Sequence, residues 1–389
     1  MAQRLVYLVT EDWAFWRHRL PMARAARDAG FEVHVITNIS GRASAIKAEG
    51  FELHQVDLRR GSVSPVDTVS PIWQVRKCFK DIQPAIVHNV ALKPLVIGSV
   101  AAWGIDGLSV VNSINGLGSA FIATSLRGHV IRLSLERTLR LLLNRANTRT
   151  IVQNPEDLAA VERIGVAADR LVLVPGSGVD CDLLLPLPEP APQPVKIAFV
   201  GRMLDDKGLR SLIRAHRILQ ARGETIELLL AGEPDPENPT SITQAELDAW
   251  SQEPGIVWLG HVERITDVWE QAHIAVLPSR GEGLPKSLLE AASCGRPLIG
   301  TDVPGCREIV INGETGLLVK CNDDIALANA MAELAHDPAA RARMGQAARS
   351  LTQARFSSAD IGRQTVAVYR SLLAARPLNR PLAAQRPIV

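Results

Sequence analysis

Between Pro175 and Pro194 the chain reads PGSGVDCDLLLPLPEPAPQP, with six prolines and two glycines. Proline has no amide hydrogen to give a helix interior or a central strand, so neither can run through this stretch. The segment predicts a linker of residues 175–194 near the middle of a 389-residue chain, which is longer than one core usually serves. Two domains are therefore expected, residues 1–174 and residues 195–357. A last periodic helix, Ser358 to Ala374, has an apolar face (Ile361, Val366, Val368, Tyr369, Leu372, Leu373) that needs a partner and is expected to pack back on the first domain. Residues 376–389 read as a disordered tail.

Short aliphatic runs alternate with longer amphipathic stretches on both sides of the linker. Leu5–Val9, Glu32–Thr37, Ile86–Val87, Leu108–Ile114 and Thr150–Gln153 read as strands in the first half. Lys196–Val200, Ile226–Ala231, Ile256–Leu259, Ile274–Pro278, Pro297–Thr301 and Gly316–Val319 follow in the second. Leu20–Ala29 and Ile72–Phe79 have helical periodicity, and Gly30 is a natural helix stop. This rhythm predicts two α/β domains with parallel sheets, whose ligands lie in the crevice at the carboxyl ends of the strands.

Composition narrows the function. Aromatics are only 4% of residues, so the cores must be aliphatic, and a net charge of +2 gives no footing for nucleic acid. The five cysteines are scattered without a CxxC pair, which suits a reducing compartment. The apolar run at Leu5–Val9 is too short for a signal peptide, and Leu95–Trp103 is broken by Gly104 and Asp106 before it could span a bilayer. A soluble, cytoplasmic protein is expected, with contact at the inner face of the membrane left open.

Three constellations carry chemistry. Gly201-Arg202-Met203-Leu204-Asp205-Asp206-Lys207-Gly208 follows a strand and opens a helix. Glycines admit a ligand to the backbone, the helix N-terminus favours an anion, and Arg202 and Lys207 add the charge a diphosphate needs. Asp206 stands where a P-loop has glycine, so an ATPase is disfavoured, and a surface turn with solvated charges is the plain alternative. Glu282 and Glu290 come next, with Pro285 placed for the first turn of a helix. On a continuous helix they lie about 12 Å apart along the axis, which suits two separated groups of hydroxyls better than a proton-sharing pair. An ordinary amphipathic helix with Glu290 on its wet face is the other reading. Third, Asn115-Gly116-Leu117-Gly118-Ser119-Ala120-Phe121 is nearly GxGxxG, but it does not follow the first strand, which counts against a dinucleotide-binding dehydrogenase. Asp180-Cys181-Asp182 spells DxD inside the linker, where a turn or cap is the simpler account, and no metal site is expected.

Taken together these motifs resemble the retaining GT-B glycosyltransferases of family 4. The downstream stretches Thr301-Asp302-Val303-Pro304-Gly305-Cys306-Arg307-Glu308 and Asn312-Gly313-Glu314-Thr315-Gly316-Leu317-Leu318-Val319 extend the likeness. Trp13-Ala14-Phe15-Trp16-Arg17-His18-Arg19-Leu20 and Asn154-Pro155-Glu156-Asp157 resemble the branch that builds bacterial lipopolysaccharide, capsule or exopolysaccharide. The resemblance implies two Rossmann-like domains facing across a cleft and transfer of a hexosyl or N-acetylhexosaminyl group from a nucleotide-sugar, expected to be UDP-linked, to a lipid-linked saccharide. It implies no metal cofactor.

By this likeness Arg202 and Lys207 bind the donor diphosphate, Glu282 the sugar hydroxyls and Glu290 the ribose. Gly201, Gly283, Leu284 and Pro285 lie near sugar and phosphates, and Gly260, His261 and Val262 beside the base. Two departures affect the first domain. Thr10-Glu11-Asp12 replaces a glycine-rich loop, and Asn115 stands where relatives often have histidine. Trp13, His18, His88, Asn115 and Gly116 are then the acceptor-side candidates. The arginine-rich stretch Leu126–Arg145 has no clean polar face, so a core helix is favoured over a membrane-lying one. A GT-B-like epimerase and a non-catalytic nucleotide-sugar-binding protein are the competing readings.

Overall fold

The computed structural model describes residues 2–58, 65–116 and 126–375. Among them β1 (Gln3–Glu11), β2 (Phe31–Asn38), β3 (Glu52–Gln55), β4 (Ile86–Val90), β5 (Ser109–Ser113), β6 (Thr148–Val152) and β7 (Leu171–Leu173) form one sheet in the order β3-β2-β1-β4-β5-β6-β7. A second sheet takes β8 (Val195–Val200), β9 (Ile226–Ala231), β10 (Ile256–Gly260), β11 (Ile274–Leu277), β12 (Leu298–Thr301) and β13 (Gly316–Val319) in the order β10-β9-β8-β11-β12-β13. The ladders are parallel, for example Tyr7 beside His88 and Ile197 beside Ile274. Leu5–Val9 and Ile197–Val200 are buried because helices cover both faces, which is why these strands are unbroken aliphatic runs. The strand order reverses at β1/β4 and at β8/β11, where α/β sheets open a crevice.

β3 and β7 are absent from the sequence reading. Both are edge strands, and the Glu52–Gln55 run is polar and mostly surface-facing, so no apolar period marks it. The tail 376–389, Leu117–Phe121 and the side chain of Arg127 lie outside the described residues. No helix among the described residues is long and apolar enough to cross a membrane.

The proline-rich segment is not free along its length. Leu187 N donates to Cys294 O at 3.1 Å, and Ser293 Oγ to Leu184 O at 2.8 Å. Arg296 Nη2 reaches Pro188 O at 2.7 Å. These bonds fix it to the second domain and leave the crossing itself to the stretch before Val179. There it meets the returning chain, with Val179 N donating to Phe356 O at 3.0 Å and Ser358 N to Val179 O at 2.8 Å. The helix Ser358–Ala374 then lies along the helix Leu20–Asp28 of the first domain.

Tyr369 anchors that helix. Its hydroxyl is 2.8 Å from Tyr7 Oη and 2.6 Å from His88 Nδ1, while His88 Nε2 is 2.6 Å from Ser113 Oγ. Tyr369→Phe keeps the ring but strands two buried polar groups, and should lower unfolding free energy by about 1–3 kcal/mol in urea titrations. Burial, and then the charge of Arg19, holds His88 well below the ordinary imidazole range. The unfolded chain protonates this residue near pH 6.5, so it binds the extra proton as pH falls. Stability should therefore drop on going from pH 7 to 5, with this site contributing up to about 1.4 kcal/mol per pH unit. A shallower slope in His88→Gln than in wild type assigns that part of the dependence.

Candidate active site between the domains

The loop after β8 turns back at Gly208, whose φ of +78° favours glycine and whose missing Cβ would sit 1.9 Å from Pro278 O. Backbone therefore meets backbone at the β8/β11 crevice, and the helix Leu209–Ala221 starts there. Arg280 N and Ser279 Oγ both donate to Asp206 O, at 2.9 and 3.2 Å, so the loop after β11 is stitched to the loop after β8. This stitching brings Lys207 Nζ to 2.5 Å from Glu282 Oε1 although 75 residues separate them. Arg202 Nη1 is held at 2.6 Å by Asp235 Oδ2, from the loop after β9. Both of these cations are thus matched by acids.

Glu282 is not on the helix with Glu290. That helix spans Lys286–Ser293, and Pro285, with ψ of 108°, precedes it as an extended residue. The separation expected for one continuous helix does not apply: Glu282 sits on a loop and Glu290 in the helix's second turn. Glu290 is 7% exposed, and its Oε2 has no hydrogen-bond partner. Lys286 Nζ lies 4.0 Å from its other oxygen. A buried carboxylate oxygen without a donor is unfavourable and suits a ligand hydroxyl. Gly201 and Gly260 lie at the ends of β8 and β10, and His261 is exposed beyond Gly260. Val262 packs on the second-domain core, and Leu284 packs there and against Gly176 in the crossing.

The first domain touches this loop directly. Asn154 caps the helix Pro155–Arg163 through its Oδ1, and its Nδ2 donates to Gly283 O at 2.9 Å. Gly283 has no room for a side chain, since a Cβ there would come within 2.7 Å of Gln153 Oε1 and 2.8 Å of Asn115 O. Gly116 lies against the same glycine. Lys286 Nζ donates to Arg17 O at 2.6 Å, and Arg307 pairs with Glu156 at 3.0 Å. The domains are therefore closed on each other at the strand ends.

The acceptor-side candidates divide. Asn115 accepts hydrogen bonds from Arg19 Nη2 at 2.5 Å and Gln153 Nε2 at 2.9 Å, at the cleft. His18, next to Arg19 in the chain, is held well below its ordinary pKa, first by burial and then by the charges of Lys286, Arg17, Arg19 and Arg202. Trp13 is partly buried on the helix Asp12–His18. His88 is a correction: 1% exposed, with both ring nitrogens engaged, it belongs to the core and offers nothing to an acceptor. Sequence reasoning assigned no role to Arg19, Gln153, Asn154, Asp235 or Lys286. Arg19 and Asn154 lie in stretches the resemblance had marked, whereas Gln153, Asp235 and Lys286 carry no local signal. Asp180 Oδ1 accepts from Asp182 N and Leu183 N at 3.0 Å, so the DxD triplet is a turn. No metal-binding cluster occurs among the described residues.

Two parallel α/β domains closed on strand ends, with paired carboxylates and cations between them, define the GT-B class. Residues 4–154 match the family described as Glycosyl transferase 4-like, and residues 194–337 the family described as Glycosyl transferases group 1. The chain belongs to this glycosyltransferase family and is related to bacterial polysaccharide biosynthesis enzymes. It is 31% identical to the capsular polysaccharide biosynthesis glycosyltransferase CapM of Staphylococcus aureus, over 46% of each chain. That alignment spans less than half of the relative. A Campylobacter jejuni N,N'-diacetylbacillosaminyl-diphospho-undecaprenol alpha-1,3-N-acetylgalactosaminyltransferase is 22% identical over 88% of this chain and 92% of its own. Anabaena HepE, solved with UDP and glucose, superposes with a TM-score of 0.78 at 17% identity, covering 95% of this chain and 100% of that one.

Gly283→Ala should leave each domain intact yet hold the cleft open. Turnover should fall by on the order of 100-fold through misplacement of groups across the cleft. Nucleotide affinity, measured by calorimetry, should fall much less than turnover, since the three atoms nearest the added methyl, on Gln153 and Asn115, belong to the first domain.

Proposed function

We propose that the chain transfers a hexosyl or N-acetylhexosaminyl group, with retention, from a UDP-sugar to a lipid-linked saccharide at the cytoplasmic face of the membrane. The observation that carries this reading is the Lys207–Glu282 pair together with the orphaned Glu290 Oε2 on the helix that follows. Diphosphate, sugar hydroxyls and ribose each then have a group waiting. A donor diphosphate would draw Lys207 and Arg202, freeing Glu282 to accept from the sugar. Glu290 Oε2 would accept a ribose hydroxyl. Gly201, Gly283, Leu284 and Pro285 would border the sugar and phosphates, and Gly260, His261 and Val262 the base. UDP is favoured by the Anabaena protein's bound nucleotide, and a lipid-linked acceptor by the activity for which the Campylobacter relative is named.

The reaction breaks the anomeric C–O bond to the diphosphate while the acceptor oxygen forms its bond on the same face. The acceptor proton passes to the departing phosphate oxygen. Negative charge grows on that phosphate, so Lys207 and Arg202 bind the transition state more strongly than the ground state. Such a group is worth about 2.7–4 kcal/mol in single-donor deletions. With two cations in this role, we propose that no metal ion is needed. Closure at Gly283 keeps water, the competing acceptor, away from the anomeric carbon.

Lys207→Ala and Glu282→Ala should each cut donor turnover by about 100- to 1,000-fold with the thermal transition retained. Unchanged turnover in both would sink the site assignment. A thermal-shift panel of UDP-, GDP- and ADP-sugars should give its largest rise with a UDP-sugar, and a larger rise with a GDP- or ADP-sugar would overturn the choice of base.

A further inference from the structure

Arg202 and Lys207 of the second domain are matched by acids, but Arg17 and Arg19 on the opposite wall pair with none among the described residues. Arg19 is 3% exposed, and among the described residues its guanidinium bonds only to Asn115 Oδ1. Its buried Nε has no partner, and no carboxylate pairs with it among the described residues. The phenols of Tyr7 and Tyr369 nearby are neutral at pH 7 and supply no counter-charge. A buried cation without a counter-ion is unfavourable, and a ligand anion is the partner such a group fits. Arg17, at the end of the helix Asp12–His18, also pairs with no acid among the described residues, and its carbonyl receives Lys286 from across the cleft. Lys286 has Glu290 only at 4.0 Å. Arg19 reaches the same domain boundary through Asn115, whose carbonyl lies against Gly283.

We propose that Arg17 and Arg19, faced by Lys286, form a second anion subsite that receives the phosphate or diphosphate of a phosphate-bearing acceptor. The inference rests on the donor reading above, in which the donor diphosphate occupies Arg202 and Lys207. A neutral saccharide acceptor would call for hydroxyl-matching groups on this wall. Unmatched guanidinium groups, with their planar forks of N–H donors, fit phosphate oxygens. The subsite lies where Asn115 and Gly116 meet Gly283, so an acceptor anchored there has its saccharide end at the donor loop.

The probe is inorganic pyrophosphate, titrated by calorimetry into the full chain saturated with UDP so that the donor site is filled. Wild type should still bind it, while Arg17→Gln and Arg19→Met should weaken it at least about tenfold, the loss of a charge-assisted contact. UDP affinity should stay within about twofold in both. Arg17 is exposed, so its variant reports even where Arg19→Met fails to fold, and Arg19→Lys should recover part of the affinity. Absence of pyrophosphate binding to the UDP complex overturns the subsite. So do variants that bind pyrophosphate as wild type does, or that lose UDP and pyrophosphate equally, which would assign these cations to the donor. Should UDP itself fail to bind, the donor reading falls, and the same comparison on the free protein still decides the subsite.

Discussion

Two chain crossings, hydrogen-bonded to each other at Val179, govern how the halves of this molecule meet. The outgoing chain gives Val179 N to Phe356 O, and the returning chain gives Ser358 N to Val179 O. Because the proline-rich segment beyond is bonded to Cys294, Ser293 and Arg296, the first domain swings on a short pivot and not on a long tether. The returning helix then locks to β1 and β4 through Tyr369, Tyr7 and His88. A pivot held this closely leaves little freedom of approach, so the same strand ends face each other whenever the cleft closes.

What meets at closure is mostly backbone. Gly283 comes up against Asn115 and Gln153, and Asn154 spends its amide on the Gly283 carbonyl while its oxygen caps a helix. Side chains would blur such a contact, whereas peptide groups on strand ends have fixed positions. That precision matters for glycosyl transfer, where a displacement of about 1 Å can cost 100-fold in rate.

The second domain's half of the site was largely readable from sequence because its determinants are local. A strand, Gly201, Arg202, Lys207 and the glycine that opens the next helix lie within the fourteen residues from Val195 to Gly208. The same locality misled at Glu282 and Glu290, since a shared helix was the simplest join between them and the extended Pro285 ends it early. The first domain's half was not readable. Asn154 and Gly283 are 129 residues apart, and His88 looks available until Tyr369, 281 residues on, folds over it. Edge strand β3 escaped for a different reason, as a strand with one neighbour and one wet side needs no apolar run, whereas β7 is apolar but only three residues long.

Charge couples this geometry to ligand. In the closed arrangement Lys286 reaches Arg17, and Arg17, Arg19, Lys286 and Arg202 all bear on His18, which burial and that field keep neutral. A protonated imidazole here would add a fifth positive charge. Bringing cations from two domains together is repulsive, and little of that repulsion is relieved by Glu290 at 4.0 Å. An anion between them converts the repulsion into attraction on both sides. It therefore binds the closed form more tightly than the open one, which is the condition for a ligand to shift such an equilibrium. The charge that opposes closure by itself would thus favour closure around an anionic ligand.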